Sequence, residues 1–275
     1  MSVWHFLACA CFLLAHPVYA QQQSASKPLK STRKASKNQR IHQQAKAEEE
    51  GYIQYNKQWV LGGKLYSDGW AVFYEHAKKK SAYGANWWSF EFGERKSINE
   101  EKRSNISSGR FLGKALVYGK QNVFYQAKLG YGRQHIIGGK ANKNGVAVMA
   151  VYGGGLSLGL LKPYYIEKFD ARENGARDIK YKGDGSYTDT LFLDPSIDAS
   201  SSGLMKGLNE TKLRPGVFAK TGLRFDYARF NEMVTAIECG INAEYYFQEM
   251  PIMAENKART FFVNLYIGIE FGRRN

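Results

Sequence analysis

"TFFVNLYIGIEFG" (residues 260–272) decides the fold. Phe261, Val263, Leu265, Ile267, Ile269 and Phe271 share one parity, while Phe262, Asn264, Tyr266, Gly268, Glu270 and Gly272 share the other. A period of two sends successive side chains to opposite faces, which a strand does and a helix does not. The same rule runs through "NVFYQAKLGYG" (122–132), "GVFAKTGLRFDY" (216–227) and "TAIECGINAEYYF" (235–247). Weaker copies lie at 58–66, 69–76 and 86–93, with a long one at 146–161. These segments make eight strands, and no helical period interrupts them after Gly51. The expected fold is all-β: a closed antiparallel up-and-down transmembrane β-barrel of about eight strands.

The contents of the polar face separate a membrane barrel from a soluble one. That face carries six carboxylates (Glu75, Glu91, Asp226, Glu238, Glu244, Glu270) and four cations (Lys64, Lys128, Lys220, Arg224) among many glycines, including Gly130, Gly132, Gly153, Gly155 and Gly159. Glycine weakens a strand surface that merely faces water. A narrow eight-stranded lumen needs small residues beside large ones to fit its cross-section. The near-balance of charge also suits buried pairs, since each such group alone would carry a large desolvation cost. The apolar face then meets lipid. Glu91, Lys128, Lys220, Arg224, Glu238, Glu244 and Glu270 are therefore the expected lumen network, closing the interior with the protein's own side chains.

The chain ends fit an exported protein. "MSVWHFLACACFLLAHPVYA" (1–20) has an apolar run from Phe6 to Ala15 and small residues before Gln21, which reads as a cleaved signal peptide. About ten apolar residues are too few to span a bilayer as a helix. Cleavage leaves Cys239 alone, so no intramolecular disulfide forms. Residues 21–56 read as a flexible basic periplasmic tail, too polar to build a core. The formal charge of +14 places +4 on residues 21–50 and +10 on residues 51–275. Behind a signal peptide, the anionic partners are envelope lipid phosphates and sugar acids rather than nucleic acid.

With both chain ends on the periplasmic side, the connections "AKKKSAYGA" (77–85), "QHIIGGKANKN" (134–144) and "ARFNEM" (228–233) are inside turns. The outside connections are 96–120 and 162–215, both long, "QEMPIMAENK" (248–257), and an unusually short "SDG" (67–69). Short inner turns and longer outer loops are the usual asymmetry of such barrels. "YGKQNVFYQAKLGYG" (118–132), "GGKANKNGVAVMAVYGGGLSLGLLKPYY" (138–165) and "DGWAVFYE" (68–75) resemble segments of an uncharacterised family of outer-membrane β-barrel proteins from Bacteroidota. The resemblance spans roughly residue 59 to the C-terminus. It implies the fold and the location and brings no catalytic residue, cofactor or substrate.

Gly155-Leu156-Ser157-Leu158-Gly159 matches the G-x-S-x-G of serine hydrolases. That motif requires a strand, a sharp turn and a helix. Here the alternation continues through Leu156, Leu158 and Leu160, and Pro163 follows, so Ser157 reads as a lumen residue. After His42 in the tail, the histidines are His76 and His135, both near inside turns. Asp178, Asp184, Asp189, Asp194 and Asp198 lack the spacing of a calcium loop and read as a solvated loop. No catalytic, cofactor or metal residues are assigned. In the basic loop, Arg95, Lys96, Lys102, Arg103, Arg110 and Lys114 are the candidates for lipopolysaccharide contact.

The expectation is a non-enzymatic outer-membrane barrel with a structural, anchoring or surface-binding role. Its partners are outer-membrane lipid, lipopolysaccharide and a surface glycan or protein held by the outer loops. A small pore is the alternative, and a lipid- or peptide-processing enzyme stands behind it.

Overall fold

The computed structural model describes residues 55–275 apart from 82, 104–105, 108–109, 112–114, 141–143, 171, 173, 196–198, 204 and 230–231. The segments read as signal peptide and, up to residue 54, as tail lie outside the described residues.

Eight strands follow the alternating segments: β1 (Lys57–Tyr66), β2 (Gly69–Lys79), β3 (Gly84–Arg95), β4 (Asn122–Gly138), β5 (Ala147–Pro163), β6 (Lys212–Asp226), β7 (Met233–Met250) and β8 (Arg259–Arg274). Each pairs antiparallel with its neighbours in sequence, and β1 pairs with β8 to close the barrel. Closure leaves the barrel no free sheet edge over its paired length, which a strand protein in hydrocarbon requires. The fold is the closed eight-stranded antiparallel barrel read from the alternation.

Burial keeps the period of two. Along β8, Asn264, Tyr266, Glu270 and Arg274 are buried while Phe261, Val263, Leu265, Ile267, Ile269 and Phe271 are exposed. The exposed set spans ten residue steps, roughly 34 Å of strand at ~3.4 Å per residue. A tilt of about 40° reduces that to a band near 25 Å tall, matching a bilayer core. Leu61 and Leu65 on β1, Leu129 on β4, Leu156 on β5 and Ile241 on β7 continue the band. Soluble monomers rarely expose a continuous apolar patch beyond a few hundred Å². This belt is the lipid-facing wall, and the core of the protein is the lumen.

The lumen glycines make room for aromatic rings. A Cβ on Gly132 would sit 2.3 Å from Trp87 Cζ2, and one on Gly153 would sit 2.7 Å from the same atom. Trp87 is fully buried and fills the slot these glycines leave.

The two barrel ends differ. One carries three short turns, the C-terminus and Tyr55, which is buried in the mouth and accepts a hydrogen bond from Gln134. Asn56 N–H donates to Asn275 C=O at 2.8 Å, so Tyr55 and Asn56 belong to the barrel rather than to the tail. The other end carries the long connections, and residues 164–211 there form a folded unit. Strands Tyr165–Asp170, Gly175–Lys180 and Ala199–Ser201 make a three-stranded sheet, against which helix Tyr187–Leu193 packs. Its core is Ile166, Ile179, Leu191 and Phe192.

Candidate functional site: a charged lumen beneath a folded outer unit

Twelve buried charged side chains project inward from the barrel strands, six cations (Lys64, Arg95, Lys128, Lys220, Arg224, Arg274) and six carboxylates (Glu75, Glu91, Asp226, Glu238, Glu244, Glu270). They form two main layers and a lock at the terminal mouth. In the layer nearer the chain ends, Arg224 donates to Glu75 at 2.8 and 3.0 Å, to Glu238 at 2.6 and 3.0 Å, and to Gln134 at 3.1 Å. Its Nε also lies 2.9 Å from Glu270. Lys220 Nζ sits 3.5 Å from Glu238 and 4.2 Å above the centre of the Trp87 ring.

In the layer nearer the loops, Lys128 Nζ bridges Glu91 at 2.9 Å and Glu244 at 2.8 Å. Lys64 donates to Glu91 at 3.0 Å, and the Tyr66 hydroxyl donates to the same carboxylate at 2.5 Å. The Arg95 guanidinium joins Glu244 to Asp68 at the tip of the first hairpin. At the terminal mouth, Asp226 takes Arg274 and, at 3.4 Å, Lys140 from the turn between β4 and β5. At the loop end, Phe124, Leu161, Tyr246, Met250, Ile252 and Met253 form an apolar lid. Equal numbers of opposite charge, paired at contact distance and capped at both ends, close the interior. A charge in such a place is tolerable only when paired, and Lys220 and Glu270 are held by ion pairs without a hydrogen bond.

All seven residues read as a lumen network lie inside the barrel and in ion pairs. Arg95 is a correction: assigned to the lipopolysaccharide-facing loop, it is 1 % exposed and points into the lumen. It shares the parity of Glu91 on β3, and Arg274 shares that of Glu270 on β8, so extending the alternation to the strand ends identifies both. Lys96 and Lys102 do lie on the loop end, Lys102 exposed. The side chains of Arg103, Arg110 and Lys114 lie outside the described residues. Ser157 faces the lumen, its Oγ 2.8 Å from the Tyr246 hydroxyl. His76 and His135 project outward near the terminal end, His76 beside Trp88.

The outer unit corrects a further expectation. Asp189 is buried, and its carboxylate accepts backbone N–H bonds from Lys182 at 2.7 Å, Asp184 at 2.9 Å and Gly185 at 3.1 Å. It folds the preceding turn onto the helix, so the aspartates are not simply a solvated loop. Of the aromatics, Phe192 is in the core with Tyr164 and Tyr181 packed against it, which leaves Tyr165 and Tyr187 for contact. Arg172 stacks 3.6 Å from the Tyr187 ring centre. Tyr165 donates to Glu210 at 2.8 Å, and Lys180 pairs with the same carboxylate. Lys168 is buried and donates to the Leu191 carbonyl at 2.6 Å, and burial holds its ammonium below the ordinary lysine range. The unit is tied to the first long loop by Tyr118, whose hydroxyl donates to Leu193 C=O at 2.6 Å.

The two long connections carry opposite charge. Residues 96–120 hold a net +4, whereas residues 164–211 hold six Lys/Arg against nine Asp/Glu. Beside an anionic membrane surface the first is attracted and the second repelled. Among the described residues no group of three or more His, Cys, Asp or Glu side chains is arranged to hold a metal ion.

These features define a transmembrane β-barrel whose lumen is filled by ion pairs and whose loop end bears a small folded unit. No protein-family model matches the chain, and no curated protein matches it. Among solved structures, it is similar to a major outer membrane protein from Thermus thermophilus (9 % identity, 80 % of this chain and 99 % of that one, TM-score 0.40). It is likewise similar to Neisserial surface protein A (8 % identity, 80 % and 96 %, TM-score 0.38). A third is Ail, the attachment invasion locus protein of Yersinia pestis, in complex with the heparin analogue sucrose octasulfate (10 % identity, 80 % and 99 %, TM-score 0.35). Likenesses this distant carry no argument about function, and the barrel rests on its own strand register.

Proposed function

We propose that the chain is a non-enzymatic barrel of a Gram-negative outer membrane, exported by a cleaved signal peptide, that anchors its folded outer unit at the cell surface for binding. The observation that carries this reading is the unit at 164–211, with its own core, standing on a barrel plugged by its own charges. A plugged barrel is a rigid anchor, and binding residues collect on loops held by rigid scaffolds. Tyr55, the C-terminus and the short turns lie at the periplasmic end and the long connections outside, the asymmetry usual in such barrels. The basic loop, through Lys96 and Lys102, meets lipopolysaccharide phosphate. The acidic unit stands off that surface and presents Tyr165 and Tyr187 to a neutral glycan or a basic protein partner. Ser157, the nucleophile candidate, is bonded to Tyr246 inside the closed lumen and has no access to a substrate.

Replacing residues 165–210 with a short Gly-Ser linker tests the proposal. Leu161 and Lys212 are paired across adjacent strands, so a few residues bridge the gap. We expect the shortened barrel to insert and keep its heat-modifiable gel mobility, and to lose binding to a printed array of neutral glycans and basic proteins. Retained binding moves the activity to the basic loop. A steady ohmic conductance of the intact protein in planar bilayers overturns the plugged-anchor reading in favour of a pore.

A further inference from the structure

The barrel wall is not of even height at its loop end. β1, β2 and β3 are 10, 11 and 12 residues long, whereas β4 to β8 run from 15 to 18. The short first connection therefore ends low. The register of β1 with β8 stops at Tyr66 opposite Tyr266, with one further bond from Ser67 N–H to Leu265 C=O at 2.9 Å. β8 continues upward to Arg259, paired on its other side with β7 and with no strand on this side among the described residues. Antiparallel alternation turns the backbone of Phe261 and Val263 toward this gap. The result is a notch in the wall.

The notch is occupied by a cleft of about 340 Å³. Its lipid side is formed by Phe261 and Val263, which are 55 % and 56 % exposed on the apolar belt, and Ile98 is also on its lining. Lys96, Lys257 and Arg259 stand on its lining, and Asp68, the acidic residue among them, is already held by Arg95. The cleft thus has an apolar wall continuous with the bilayer and an excess of positive charge at the level of the headgroups. Its volume lies at the small end of ligand sites, roughly 300–1,000 Å³. A cleft of that size has room for one acyl chain or headgroup segment rather than a whole lipid.

We infer that this notch is a binding site for an acyl lipid of the outer leaflet bearing a phosphate headgroup. The phosphate is held by Lys96, Lys257 and Arg259 through charge-assisted hydrogen bonds, and an acyl chain lies along Phe261 and Val263. This is a site of the barrel wall, separate from the outer unit; through Lys96 it rests on, and deepens, the proposed lipid contact of the basic loop.

Native mass spectrometry of the full chain released from detergent micelles provides the test, with phosphatidic acid and phosphatidylcholine of the same chain length as probes. One phosphatidic acid is expected to remain bound per barrel, with phosphatidylcholine retained about tenfold less. The variant Lys96→Ser/Lys257→Ser/Arg259→Ser removes the preference while leaving heat-modifiable mobility unchanged, because none of the three lies in the lumen. Val263→Trp fills the cleft from its lipid side and reduces phosphatidic acid retention with the cations intact. Equal retention of the two lipids, retention unaffected by both variants, or full competition by inorganic phosphate alone would overturn the inference, the last by showing a site for free phosphate.

Discussion

Arg224→Met removes the hub of the terminal-side layer and probes the reasoning about the lumen most directly. The guanidinium contacts three carboxylates, those of Glu75, Glu238 and Glu270, at 2.6 to 3.0 Å, and all four side chains are fully buried. Without it, Lys220 is the nearest cation, at 3.5 Å from Glu238 and 3.8 Å from Glu75. Methionine supplies much of the lost volume, so the cavity contribution stays small. Breaking a buried pair by removing one partner costs about 3–5 kcal/mol. With three anions stranded at once, the loss should be at least about 4 kcal/mol, close to a thousandfold in the folding equilibrium. Against a typical total of roughly 5–15 kcal/mol, that is a large share. Urea titrations of the barrel in short-chain phosphatidylcholine vesicles, followed by gel mobility and tryptophan fluorescence, read the change, and Trp87 reports from the affected layer. Combining Arg224→Met with Glu75→Gln and Glu238→Gln should restore much of the loss, since two of the three stranded carboxylates are then neutral and the remaining Glu270 charge is offset by that of Lys220. A single variant within about 1 kcal/mol of the parent, or a combined variant no better than the single, refutes the account of the lumen as an obligatory ion-pair plug.

Leu265→Arg or Ile241→Arg should each cost roughly 2–4 kcal/mol of insertion stability in the same assay, because both project from the apolar belt; equal folding by both variants and the parent contradicts the assignment of faces. Gly132→Val should cost about 1–3 kcal/mol by overpacking Trp87, and pairing it with Trp87→Leu should recover part of that; no recovery means the clash is with the backbone oxygen of Tyr152, also 2.3 Å from the new Cβ. In the outer unit, the Arg172 N–H, the Tyr187 hydroxyl and the Arg177 guanidinium hold Asp170 below the usual carboxylate range. A carboxylate with a depressed folded pKa contributes stability present above its unfolded value, and that stability is lost as pH falls through the folded value. Limited proteolysis of residues 164–211 should therefore accelerate in that acid window, and Asp170→Asn should flatten the pH dependence; an unchanged profile in the variant removes Asp170 from the explanation.

The alternation in "TFFVNLYIGIEFG" and its companions was sufficient, by itself, to specify eight strands, their faces and the barrel they close. Period two is a local property, and glycine beside charge on one parity states that this face is narrow and enclosed. Seven lumen residues were legible for the same reason. Arg95 was not, because it stands at a strand end where the composition of the following loop outweighs parity, and only the register opposite Phe124 shows that β3 reaches it. The outer unit was equally hidden. Its sheet pairs Tyr165–Asp170 with both Gly175–Lys180 and Ala199–Ser201, a non-local closure that leaves no periodic trace in a Ser-, Asp- and Gly-rich stretch. Asp189 reads as one more polar loop residue until the chain folds three N–H groups onto it. The notch required the tertiary structure altogether: a short turn is visible in "SDG", but its consequence depends on β8 rising past it, and strand heights are compared only once the barrel is closed.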